Sequence, residues 1–392
     1  MPDTLATKPA LAREQRNFAT IETAFGTLQK PVAAKAVKAL SFKVGSPSPN
    51  KIDINESRAT RSRLERVEGE TPPTSFASSH YIRPSGAAGT PPDLHDLILS
   101  MLPSYTNSSS TSDTYAPSDD YSQTSLTVYE WNDGHARTGI GCMMESMKIM
   151  GKGAEPPRME FTGSCKKTVV TGRSTLDGAF SGAVGTLDTP GNVKADSVVA
   201  IYEAADGTTV VDDNSTAGWL VSSATATTIT LEGSPSGTAD LDVVAPWAPS
   251  ETFESGSSVI AGINGGVTIG GTSAPVVEYE IEIKNNRAAY DPEVGQSYVT
   301  GYSDSWRDVK GTLTLKLTAD QVKWLYDREG FTESAIVLTL GTGSGSTLTI
   351  TMGQVQFDTT DEDKPESGVG TIKLPFVAMG SSGADEISLV FT

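Results

Sequence analysis

Cysteine and histidine are the scarcest chemically versatile residues in this chain. Only two cysteines, Cys142 and Cys165, stand in 392 residues, with no CxxC pair. That excludes a disulfide framework or a zinc ribbon, and the default expectation is two free thiols in a reducing compartment. The three histidines, His80, His95 and His135, have no second His or Cys at metal-ligand spacing, which removes most zinc chemistry. No apolar run approaches the roughly 18 residues of a membrane span, and Met1 to Gln15 lack the apolar stretch of a secretory signal. Basic residues are also few. Lys and Arg number 30 against 48 Asp and Glu, a net charge of -18. Such a chain is repelled by phosphate backbones, so nucleic-acid binding by counterion release is disfavoured.

The familiar catalytic motifs are missing too. Gly341-Thr342-Gly343-Ser344-Gly345 lacks the lysine and the following helix of a phosphate loop, and lies between two alternating stretches, as a hairpin turn would. Gly163-Ser164-Cys165 is not a nucleophile elbow. Asp361-Glu362-Asp363 lacks the alternating ligand spacing of a calcium loop. No catalytic, cofactor or metal site is assigned, no cofactor is expected, and an enzyme reading has no anchor.

What the chain does have is β pattern, with glycine at 38 positions. Residues 1–35 read as a polar N-terminal arm without sustained periodicity, and deleting residues 1–30 should impair contact between copies more than folding. Residues 36–183 read as the first part of a β-core. Within it, Ile52 to Glu70 forms a long hairpin polar on both faces, which needs a neighbour or stands in water. Thr90-Pro91-Pro92-Asp93 opens a short helix with Leu94, Leu97, Ile98, Met101 and Leu102 on one face. Residues 104–124 read as a loop, Asn132-Asp133-Gly134 as a tight turn, and the Met143, Met144, Met147, Met150 cluster as core packing. Residues 184–250 form short strands divided by Asp-Gly and Pro-Ser-Gly turns, with one lysine, Lys194. They read as a small acidic β domain inserted in the larger one, and removable from it. Residues 251–392 complete the core. There Val277, Tyr279, Ile281 and Ile283 alternate with Glu278, Glu280, Glu282 and Lys284. Thr318 to Gln321 opens a second short helix, and Asp358 to Glu366 forms an acidic loop.

The order of these features resembles the tail tube proteins of long-tailed bacteriophages. Glu22-Thr23-Ala24-Phe25-Gly26-Thr27 resembles the opening arm of that family. Asn55 to Arg66 and Ser75 to Arg83 resemble its long hairpin and following strand, and Gly89 to Leu94 the start of its helix. Ser125 to Tyr129, Gly141-Cys142, Met147 to Ile149 and Met159 to Gly163 resemble its central strands. Tyr279 to Asn285, Gly301-Tyr302, Trp306 to Leu315 and Pro375 to Ala378 carry the closest likeness. The likeness spans most of the chain outside 184–250.

The resemblance implies a mainly β protein: a tail-tube-type β-sandwich or barrel core with two short helices, plus the inserted domain on the exterior. It implies a structural virion protein, not an enzyme, assembled in the host cytoplasm. Its partners would be copies of itself in stacked, hexameric rings, the tape measure protein, and the tail terminator and distal tail or baseplate proteins. DNA would pass along the lumen without specific binding, in a non-contractile tail, and no membrane would be involved. Glu278, Glu280 and Glu282 face either an acidic lumen or outer solvent. The alternatives are another ring-forming tail component, a terminator or baseplate tube protein, or a cell-surface β-sandwich adhesin.

Overall fold

Alternation of apolar and polar side chains dictates strands, and the computed structural model is built almost wholly from them. It describes residues 15–54, 66–120, 124–132, 135–188, 191–204, 209–253, 256, 258–317, 333–358, 361–363 and 370–392. β1 (Gln15–Ile21) and a 3-10 turn at Ala33–Lys35 lead to β2 (Ser41–Val44), the hairpin β3 (Lys51–Asp53) and β4 (Arg66–Glu68), and β5 (Thr74–Tyr81). Helix α1 (His95–Met101) precedes β6 (Ser104–Ser108), β7 (Ser112–Ala116), β8 (Leu126–Asn132) and the long pair β9 (His135–Lys152) and β10 (Arg158–Thr171). Seven short strands follow: β11 (Ser174–Thr175), β12 (Val184–Thr186), β13 (Val198–Tyr202), β14 (Val210–Asp212), β15 (Trp219–Ala224), β16 (Thr228–Leu231) and β17 (Val243–Pro246). Then come β18 (Gly265–Ile269), β19 (Thr272–Ala274), β20 (Val276–Lys284), β21 (Ala288–Ala289), β22 (Tyr302–Ser303) and β23 (Asp308–Lys316). β24 (Ser334–Gly341), β25 (Thr347–Phe357), β26 (Asp361–Asp363), β27 (Thr371–Met379) and β28 (Ser388–Phe391) close the chain.

β9 is the spine. Its second half lies between β10 and β20, and its first half between β10 and β8. One layer runs β2–β5–β10–β9–β20–β23–β27. β25 joins this layer through Gln354–Phe357 and a second layer through its first half, where β24 and β28 flank it. A register shift opposite Ser334/Ile336 marks the passage, as a bulge does where a strand bends between layers. β2 closes the other end with side chains. Glu130 of β8 accepts the Val44 N–H at 3.0 Å, Arg137 of β9 donates to the Val44 carbonyl at 3.1 Å, and Gln15 of β1 donates to the Phe42 carbonyl at 3.1 Å. β1, β8, β9, β10, β5 and β2 thus curve into a half-barrel. The apolar stripe of α1 (Leu97, Ile98, Met101) joins the same buried core as Phe76, Phe161, Ile281 and Phe376.

The segment read as an inserted domain forms its own sheet, ordered β11-β17-β13-β15-β16-β12 with β14 on β13, around Leu176, Val199, Ile201, Val221, Ile229 and Val244. The sheet spans 174–246, not the expected 184–250. It is docked rather than tethered. Val198, Ala200, Trp247 and Ala248 share a buried cluster with Phe18, Ala36, Tyr129 and Ala136. The Tyr129 hydroxyl donates to the Trp247 carbonyl at 2.7 Å, Trp131 Nε1 to the Pro246 carbonyl at 3.0 Å, and Lys167 pairs with Asp196 at 2.6 Å.

Several expectations need correction. Residues 15–21 are a strand whose seven positions pair with β8, with Phe18 and Ala19 buried. Short, mixed polarity hid its alternation. Residues 104–116 are not loop but a hairpin turning at Ser110, held by Tyr115 against Phe391 and His95. Thr90 does not cap α1, which starts at His95 after Leu94. Asp361–Asp363 is a short strand on β27. Cys142 and Cys165 are not free thiols: antiparallel pairing of β9 and β10 sets them opposite each other and a disulfide joins them. Sequence spacing cannot show that register. The second expected helix, at 318–326, lies outside the described residues. The Met143, Met144 and Met147 side chains are fully buried, as core packing requires.

His80 is completely buried against the edge of Phe161, with Nδ1 on the Lys38 carbonyl at 2.9 Å. Desolvation pushes its pKa down to about 4. Burial also lowers His95, whose Nδ1 meets the Tyr115 hydroxyl at 2.7 Å. The unfolded chain takes up these protons near pH 6.5 while the folded chain does not. Stability should therefore be full above about pH 6.5 and fall as pH drops toward 4, by about 3 kcal/mol from His80 alone. Urea unfolding at pH 7.5 and 4.5 checks this: His80→Gln should lose clearly less stability between the two pH values than the parent chain.

Candidate functional site

The chemistry-bearing residue types do not converge. His80 is in the core, His95 is held by Tyr115, and His135 sits at the start of β9. Gly341, Gly343 and Gly345 adopt positive φ in the turn between β24 and β25, which is the hairpin the sequence implies. Ser164 lies within β10, its hydroxyl on Glu145 at 2.6 Å. Among the described residues no three His, Cys, Asp or Glu side chains group as a metal site, and no helix is long and apolar enough to cross a membrane.

Surfaces are the informative feature. β3 and β4 form a two-stranded sheet separate from the main one. Ile52 and Val67, directly paired, are 53% and 40% exposed, and Arg66 pairs with Asp53 at 2.6 Å. The base of the polar hairpin is as expected; its tip, 55–65, lies outside the described residues. A ladder this short holds little stability alone.

The second surface is the open face of β10, β9, β20, β23 and β27. On β20, Tyr279, Ile281 and Ile283 point into the core, so Glu278, Glu280, Glu282 and Lys284 point out. Register brings Lys152 opposite Glu278 and Lys148 opposite Glu282 on one side, and Lys310 opposite Glu282 and Asp308 opposite Lys284 on the other. Lys148 binds Glu280 at 2.8 Å, and that hydrogen bond holds its ammonium above the ordinary lysine range. Lys152 meets Glu278 at 3.5 Å and Lys284 meets Glu282 at 3.2 Å. This face is charge-paired rather than acidic. The acid excess lies elsewhere: the 174–246 segment holds ten carboxylates against Lys194, a net -9, half the charge of the chain.

The phrase Glu22 to Thr27 has a structural role that only the coordinates reveal. Glu22, 8% exposed, accepts the backbone N–H of Gly26 at 2.8 Å and of Gly141 at 2.7 Å. It also accepts the hydroxyls of Ser125 at 2.7 Å and Thr127 at 2.9 Å. One carboxylate thus ties the chain after β1 to β8 and β9. Gly141, with φ 64°, turns its N–H toward Glu22 where β9 bulges against β8. Finally, a groove of about 380 Å³ opens beside the exposed indole of Trp306.

A family model described as phage tail tube protein matches residues 173–380. The match takes in the 174–246 sheet as well as β18 to β27. The segment expected to depart from the family is therefore part of the matched span. No curated protein matches the chain.

Proposed function

The chain belongs to the phage tail tube protein family, and from that premise we propose that it polymerises as stacked rings, hexameric by the family likeness, into a hollow tail tube. It is a structural phage tail component, and no group of residues described above supports catalysis. The observation that supports stacking most is the β3–β4 ladder, a sheet apart from the main one whose paired Ile52 and Val67 are exposed and would be covered by another copy. In this reading the tube houses the tape measure protein, ends on terminator and distal or baseplate proteins, and conducts DNA. It stands in a virion assembled in the host cytoplasm, in a non-contractile tail.

We assign the paired face of β9, β20 and β23 to the lumen. Each carboxylate of β20 already has an ammonium within 3.5 Å. A passing phosphate therefore finds few unengaged cations and releases few counterions, so DNA slides without specific binding. The acidic 174–246 sheet belongs on the exterior in this arrangement. Sedimentation velocity of the purified chain tests assembly: species far heavier than the 41.1 kDa subunit are expected. A single species of subunit mass at every concentration and salt would overturn the reading.

A further inference from the structure

We propose that Asn264 is a self-modifying site: in the folded chain its side-chain amide is lost to attack by the Gly265 nitrogen, leaving aspartate and isoaspartate. The inference rests on the chemistry of one turn and holds whether or not the chain assembles.

Asn264-Gly265 is the one Asn-Gly pair in the sequence. A glycine in second place leaves no Cβ between its own nitrogen and the asparagine amide. The fold also requires glycine there. Gly265 adopts φ 149°, and a Cβ on it would lie 2.2 Å from the Thr339 carbonyl oxygen.

The nucleophile is free of the sheet. The Asn264 carbonyl accepts the Gly341 N–H at 2.8 Å, so it points toward β24. The peptide bond that follows is trans, which aims the Gly265 N–H the other way. On that side β19 pairs with Val267 to Ile269 and does not reach Gly265. The electrophile is free as well. Asn264 is exposed, and among the described residues its side-chain amide has no hydrogen-bond partner. It lines a recess of about 120 Å³ beside Ser258, Thr342 and Ser346, a polar setting that admits water. Two Asn-Ser pairs show the opposite arrangement. Asn107 Nδ2 donates to Asp113 at 2.6 Å and to the Gly89 carbonyl at 2.8 Å. Asn214 Nδ2 donates to Glu232 at 3.1 Å and to the Gly218 carbonyl at 3.3 Å. Both amides are tied down where that of Asn264 can swing.

Hydroxide removes the Gly265 N–H proton, and the nitrogen attacks Asn264 Cγ. A bond from that nitrogen to Cγ forms, the bond from Cγ to Nδ2 breaks, and Nδ2 leaves as ammonia with a proton taken from water. One water then opens the cyclic imide. Opening at Cγ gives aspartate; opening at the main-chain carbonyl gives isoaspartate. No electrons are exchanged, and the net change is water in and ammonia out. Either product adds one negative charge. Isoaspartate also routes the main chain through Cβ, which displaces the carbonyl that Gly341 holds and loosens the start of β18 from β24.

The test is peptide mapping by mass spectrometry of the purified full chain, aged in mildly alkaline buffer both folded and unfolded in urea. In the folded chain, amide-to-acid conversion at Asn264 should run at least tenfold faster than at Asn107 or Asn214. It should also stay within tenfold of its own rate in urea. Enzymatic methylation specific for isoaspartate should label the same peptide. Conversion at Asn264 no faster than at the two tied asparagines, or slowed more than tenfold by folding, would overturn the proposal. Asn264→Gln lengthens the reacting arm and should abolish the modification of this peptide, with circular dichroism and melting as in the parent. The same mass gain persisting in that variant's peptide would place the labile group elsewhere and overturn the assignment.

Discussion

Replacing Glu22 with alanine is expected to cost about 4 kcal/mol of folding stability. Four donors converge on this carboxylate: two backbone N–H groups and two hydroxyls. Alanine leaves them without an acceptor in a site where Glu22 is 8% exposed. A hydrogen bond to a charged group contributes about 1.5–3 kcal/mol, and an unsatisfied buried donor costs about 1–3 kcal/mol. The contributions are not additive, because the two hydroxyls can turn to other acceptors. Glu22→Gln keeps one acceptor oxygen and should lose about half as much. Urea unfolding followed by tryptophan fluorescence reads both values. A loss below about 1 kcal/mol for Glu22→Ala would show that the strand β1 and the phrase after it are an appendage, as the composition of residues 1–35 had implied.

Excising residues 174–246 with a short linker should cost about as much or more. The excision strips Val198 and Ala200 from the cluster that buries Phe18, Ala36, Tyr129 and Ala136. Re-exposing the Phe18 and Tyr129 rings costs about 1.5–3 kcal/mol each. The Tyr129 hydroxyl, fully buried and pushed above its usual range by desolvation, also loses its acceptor at Val198 and the fixed position of the one at Trp247. Much of the excised chain is expected in the insoluble fraction, and the soluble remainder should melt well below the parent. Full solubility and an unchanged melting temperature would show that the second sheet is a passenger on the first. Tyr129→Phe, which removes only the hydroxyl, should cost about 1 kcal/mol and serves as the mild reference.

The legible part of this fold was its alternation. β20 reads directly from Val277 to Lys284 because one face is buried and the other wet, and β24, its glycine turn and β25 read for the same reason. Asn132 pairs with His135, so β8 and β9 are antiparallel neighbours on either side of the expected turn, whose Asp133 and Gly134 lie outside the described residues. Features that depend on register or on distant partners were not legible. Cys142 and Cys165 are 23 residues apart, and only the pairing of β9 with β10 makes them neighbours. β6 and β7 are Ser, Thr and Asp rich, and their strand state comes from β28 packing on β7. The functional surface divides the same way. The polar hairpin was visible because neither of its faces could be buried. The neutrality of the β20 face was not, because Lys148 and Lys152 lie more than a hundred residues from the glutamates they meet. The groove was hidden likewise. Arg287, Arg307 and Asp119, which line it beside Trp306, come from three separate stretches that only the topology gathers.

Negative-stain electron microscopy of the purified, concentrated chain bears most directly on the whole account. The prediction is long hollow particles, or stacked annuli, with an axial channel wide enough for duplex DNA and walls made of this polypeptide alone. Discrete compact particles of single-subunit size at all concentrations, or filaments without a bore, would contradict it.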